Sequence, residues 1–113
     1  MSNKETVSQW QRVCATDEII PSIGVRALIG GEQVAIFNVS DDYYAVSAID
    51  PFTQSAVLAR GIVGDLDGKV VVASPIYKQH FELASGQCLE DENVKIKIFP
   101  VRIADDFIEL GVA

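Results

Sequence analysis

Side chains able to do chemistry are scarce in this chain. It holds one histidine, His80, and two cysteines, Cys14 and Cys88. A zinc-type site would require Cys14, Cys88 and acidic residues to converge on His80 through folding alone. The sequence has no Cys-x-x-Cys or His-x-x-x-His spacing to bring them together. A Cys88–His80 nucleophile pair is conceivable across the Ser85-Gly86 turn. No third group to orient the base is evident, and lone cysteines are commonly just buried. His80 is therefore expected at a loop or strand edge with a hydrogen-bond partner, and Cys14 in the core. The two glycines of "RGIVGD" are not followed by Lys-Ser/Thr or by a long helix, so no phosphate loop is present, and "IGGEQ" reads as a hairpin turn. The acids gather at turns: Asp41-Asp42, Asp65 with Asp67, Glu90-Asp91-Glu92 and Asp105-Asp106. No carboxylate pair suited to acid–base work stands out. On these grounds the chain is a β module with no catalytic, cofactor-binding or metal-binding residue of its own.

The composition points the same way. A chain of 113 residues that is 49% hydrophobic can bury a core as one domain, 1–113. Sixteen acidic against nine basic residues give a net charge of −7, read as a solvated acidic surface. Nucleic acid is excluded as a partner, because a phosphate backbone needs a basic stripe. The opening "MSNKETVSQWQRV" lacks the apolar run of a signal peptide, and no stretch is long enough to span a membrane. A cytoplasmic chain with reduced thiols and no membrane association is expected.

Whatever the chain does must rest on strands. Turn signals at Gly30-Gly31, Asp41-Asp42, Asp67-Gly68, Ser85-Gly86 and Ala104-Asp105-Asp106 separate runs rich in Val, Ile, Phe and Tyr. That rhythm predicts a mostly β sandwich or partial barrel of two packed antiparallel sheets. Strands are expected at Trp10–Cys14, Gly24–Ile29, Gln33–Val39, Tyr43–Ile49, Lys69–Ser74, His80–Leu83, Val94–Val101 and Phe107–Val112. In the seventh, Val94, Ile96 and Ile98 alternate with Lys95 and Lys97, giving one buried and one wet face. "KVVVAS" is apolar on both faces and suits an interior strand. A single helical turn is expected at Thr16–Ile20, capped by Thr16 and closed by Pro21, and another short one around Ser55–Arg60. Two stretches fit no strand well: Asp50 to Asp65 and Ser74 to Gln79. Loops on a rigid β frame are where function tends to sit.

The second of these opens "SPIYKQHFELASGQC". A strand ends in Ser-Pro, a tight loop follows, then a Phe-led strand and a Ser-Gly turn. Together with "GVRALIGGEQVAIFNVSDDYYAVSAIDPF", this order of features resembles the Rieske [2Fe–2S] domain family over nearly the whole chain. The resemblance implies a Rieske-like fold with cluster loops near 50–60 and 74–80. It also places that family's ligands residue by residue. Its first Cys and His fall on Asp50 and Phe52, and its second Cys and His on Ser74 and Tyr77. A Rieske cluster needs two thiolates on one iron and two imidazoles on the other, so no cluster is expected here.

Within that family, "IDPF", "VLARGIVGD", "VASPIYKQHFEL" and "GQCLEDE" resemble the small subunits of assimilatory NADH-dependent nitrite reductases. The resemblance implies a non-redox subunit of an enzyme that reduces nitrite to ammonium. FAD, [4Fe–4S] and sirohaem would reside in a large subunit, which would be this chain's partner. The two former cluster loops are the docking candidates, through Phe52, Ile76, Tyr77, Lys78, Gln79 and His80. Alternatively, Phe52 and Tyr77 fold inward and plug the vacated site. Two competing roles for the chain are a Rieske-type ferredoxin-like electron carrier and a regulatory module binding a small ligand in the emptied site.

Overall fold

The computed structural model describes residues 9–76 and 78–112. Ten strands run β1 (Gln9–Ala15), β2 (Val25–Ile29), β3 (Glu32–Val39), β4 (Asp42–Ser47), β5 (Ile62–Leu66), β6 (Lys69–Ala73), β7 (His80–Glu82), β8 (Ile98–Phe99), β9 (Val101–Ala104) and β10 (Phe107–Val112). All strand pairs are antiparallel, and the class is mostly β as expected. The strands divide among three sheets, ordered β1-β10-β9, β2-β3-β4-β8 and β5-β6-β7, rather than two.

The four-stranded sheet is the middle layer, and β3 shows why. Its residues 34–38 are buried without interruption, because both of its faces are covered. Val34 and Ile36 join a core with Ile19, Ile29, Phe99, Ile108 and Leu110. Ala35 and Phe37 point the other way, into a core with Val46, Leu58, Val72, Phe81 and Leu83. The period-two alternation of strand side chains thus splits one apolar run between two cores. The second core carries the β5-β6-β7 sheet and with it both former cluster loops.

Four tight hairpins set the register. Their central pairs, Gly30-Gly31, Ser40-Asp41, Asp67-Gly68 and Asp105-Asp106, all have positive φ at both positions, as type I′ turns require. The turn expected at Asp41-Asp42 sits one residue earlier, since Asp42 already pairs with Val39 as the first residue of β4. Asp67-Gly68 joins β6 to β5, a strand missing from the sequence expectation. Apart from Val63 its residues are exposed, and it carries a glycine, so it lacks the apolar signal of a strand.

The strand expected over Val94–Val101 is broken. Lys95 forms only a bridge with Gln87, and β8 holds two residues before Pro100 separates it from β9. The alternation changes phase there: Ile96 and Phe99 are buried while Ile98 is exposed. The early helical turn is a 3₁₀ turn over Thr16–Glu18, and Thr16 does not cap it. Glu18 Oε2 instead accepts the Ala15 N–H at 3.2 Å. The later one is a 3₁₀ turn at Leu58–Arg60, whose Leu58 plugs the second core.

Candidate functional site

The two former cluster loops leave β4 and β6 and meet above the second core. In the first, the Asp50 carbonyl accepts the Gln54 N–H at 2.7 Å, and the Asp50 N–H donates to the Ser55 carbonyl at 2.9 Å. In the second, Ser74 and Gln79 close the loop base with a 2.8 Å bond, and the Lys78 N–H reaches the Ser74 carbonyl at 3.1 Å. Lys78 adopts positive φ (66°), which turns the chain back into β7. Gly61 lets the segment before β5 run tight against β6, where a Cβ would meet the Ala73 carbonyl oxygen at 2.5 Å.

Asp50 and Ser74, where the fold family carries its cysteines, are both buried, at 0% and 1% exposure. The Ser74 hydroxyl donates to Asp50 Oδ2 at 2.5 Å. Asp50 Oδ1 accepts the Phe52 N–H at 2.8 Å, and Ser74 Oγ accepts the Ile76 N–H at 3.3 Å. Each polar group so removed from water has a partner, as buried polar groups require. Phe52, where the family carries its first histidine, packs its ring 6.4 Å from that of the fully buried Phe81 and stays 37% exposed. It is both a partial plug and a partial surface. Tyr77, the remaining ligand position, lies outside the described residues.

This donor set does not fit a [2Fe–2S] cluster. Two oxygens committed to each other and a phenyl ring stand where thiolates and an imidazole are needed. Among the described residues no three His, Cys, Asp or Glu side chains gather as a metal site.

His80 has the partner its position calls for. Its Nδ1 lies 2.6 Å from Glu90 Oε2, and its backbone N–H donates to Glu90 Oε1 at 2.7 Å. Desolvation pushes the Glu90 carboxyl up, but these two contacts outweigh it and hold the group below the usual carboxylate range. Cys88 is buried, and its Sγ donates to Glu90 Oε1 at 3.8 Å. Burial pushes its thiol up, beyond what the nearby Glu90 and Asp91 backbone amides offset, which is the opposite of a nucleophile's requirement. Cys14 packs against the first core, and burial raises its thiol too.

The exposed surface around the loops mixes apolar and polar side chains. Ile76 is 45% exposed, and Lys78 is exposed beside it. Gln79 is half-buried, and its Oε1 is buried without a hydrogen-bond partner among the described residues. Ile62, absent from the sequence expectation, is 72% exposed. It pairs with Ala73, which pairs with His80, so the three share the outer face of the β5-β6-β7 sheet. Only the hairpin through Asp67-Gly68 could have revealed it, by implying a strand on both sides of the turn. Glu90 was equally hidden, inside an acidic run that reads as solvated.

Residues 9–111 match the model of the Rieske-like [2Fe-2S] domain family. The small subunit of nitrite reductase (NADH) from Salmonella typhimurium is 47% identical over 106 residues, covering 92% of this chain and 98% of that one. A solved structure described as a putative NADH-dependent nitrite reductase small subunit from Mycobacterium tuberculosis superimposes with a TM-score of 0.91 at 40% identity, covering 96% and 98%. A nitrite reductase [NAD(P)H] large subunit from Klebsiella oxytoca is 32% identical over 102 residues, which are 90% of this chain but 11% of that one. A Rieske-like frame with its cysteine positions closed by an Asp–Ser bond, matched end to end by such relatives, has one place: the chain belongs to the Rieske-like domain family, among the small subunits of NADH-dependent nitrite reductases.

Proposed function

We infer that this chain is the non-redox small subunit of a cytoplasmic NADH-dependent nitrite reductase, which reduces nitrite to ammonium in nitrate assimilation. The observation that carries the reading is the near-complete match to the Salmonella typhimurium small subunit. The hydrogen-bonded Asp50–Ser74 pair, standing at the family's cysteine positions, supports the non-redox reading. Such a reduction runs on bound cofactors. FAD, [4Fe–4S] and sirohaem belong, in this reading, to the large subunit, and this chain supports that subunit's activity by docking on it.

The docking surface is the tip formed by the two loops and the start of β5. Phe52, Ile62 and Ile76 supply exposed apolar side chains, with Lys78, Gln79 and His80 alongside. Aromatic and aliphatic anchors beside polar groups are the composition of a contact patch. Tyr77 belongs to the same loop by sequence.

The deciding experiment measures NADH oxidation and ammonium formation by the purified large subunit with and without this chain. Activity that rises to a plateau at a fixed subunit ratio supports the reading. Activity independent of added chain overturns it.

A further inference from the structure

One cavity lies outside the tip. It is a groove of about 750 Å³ between the β2–β3 turn, the turn before Gly86, the segment around β8 and the end of β10. Ile29, Phe99 and Val112 line it on the apolar side; Glu32 and Lys97, paired at 2.8 Å with Lys97 over the Phe99 ring, line it too, and the exposed Lys95 stands at its rim. A second, smaller cavity shares Ala84, Ile98 and Phe99 with it, so recesses flank the short outer strand β8 on both sides. Its size suits a few inserted side chains.

The first and last of the described residues meet near this place. Gln9, at the start of β1, pairs with Val112, at the end of β10, and Val112 lines the groove. In the Klebsiella oxytoca large subunit the equivalent of this domain is about a tenth of a single polypeptide. The rest of that chain must join the domain at one or both of these two ends. A join beyond Val112 falls beside the groove, and one before β1 approaches the strand that pairs with it.

We propose that the groove is a second contact with the large subunit and receives the segment that adjoins this domain where the two are one chain. The proposal rests on the small-subunit reading. The occupant is an extended segment carrying an apolar side chain for the Ile29–Phe99–Val112 recess and a carboxylate for Lys95.

The test measures binding of the purified large subunit to the full-length chain and to two variants. Ala84→Trp fills the recess from an exposed turn position, and Lys95→Glu reverses the rim charge. Both variants are first checked for an unchanged Tm. Ala84→Trp is expected to weaken Kd about tenfold or more, as loss of a buried anchor does. Lys95→Glu is expected to weaken it less, with the difference shrinking at high salt. Wild-type affinity in both variants, alongside weakened binding by Ile62→Ala at the tip, overturns the groove and leaves the small-subunit reading intact. No binding by the wild-type chain overturns both.

Discussion

The Ser74 hydroxyl reaches across from the second loop to Asp50 Oδ2 in the first, at 2.5 Å. One hydrogen bond thus joins the two positions at which the fold family holds an iron through cysteines. Both residues are buried, so the bond links the two loops out of reach of water. Removing either partner should therefore cost more than an average surface change. Ser74→Ala is expected to lower stability by about 1–3 kcal/mol, because Asp50 Oδ2 loses its donor. The double variant Asp50→Ala/Ser74→Ala should lose less than the sum of the singles, with a coupling of about 1 kcal/mol in urea unfolding. Additive losses would mean that the two groups act independently.

Phe52 and Ile62 separate plugging from docking. The Phe52 ring leans on Phe81 while remaining 37% exposed, so Phe52→Ala should lower both the Tm and the affinity for the large subunit. Ile62 is 72% exposed, so Ile62→Ala should leave the Tm nearly unchanged. Its binding to the large subunit should weaken about tenfold. Calorimetry and a binding titration on the same preparations read the two effects apart.

Stability should fall on the acid side for two named carboxylates. Glu90 is held low by His80 against its own desolvation. Glu109 is held low first by Arg102, at 2.7–2.8 Å, which together with Arg12 outweighs desolvation. A carboxyl whose folded pKa is depressed contributes stability that is present above its unfolded value and lost as pH falls through the folded one. The loss should therefore begin in the ordinary carboxylate range and continue below it. Glu90→Gln and Glu109→Gln should each lower stability at neutral pH and make the decline between neutral and acid pH shallower, as followed by Tm against pH. An unchanged slope in both variants would remove these pairs from the account.

Gly86 should tolerate no side chain. Its φ is +82°, and a Cβ there would run into the Ile96 carbonyl, whose residue donates its N–H back to the Gly86 carbonyl at 2.9 Å. Gly86→Ala is expected to cost about 2 kcal/mol or more in chemical denaturation. The damage should spread to the groove, which Ser85 and Ile96 both line.

The sequence by itself determined the β class, the turns at Gly30-Gly31, Asp67-Gly68 and Asp105-Asp106, and the lack of cluster-ligand residue types at the family's four positions. Those follow from local chemistry, since turn residues and ligand types are readable one position at a time. It also showed that the Ser-Pro loop, the Phe81-led strand and the Ser85-Gly86 turn keep the frame of a metal site. Only the tertiary structure decided what took the metal's place. Asp50 and Ser74 are 24 residues apart, and nothing in either loop announces a bond between them. The same holds for His80 with Glu90, and for Ile62, whose exposure depends on its place in a third sheet. The break after Ile96 was hidden as well, because a regular alternation says that a face is buried but not which sheet will bury it. Contacts between loops are set by the packing of the strands that carry them, and that packing is a property of the whole chain.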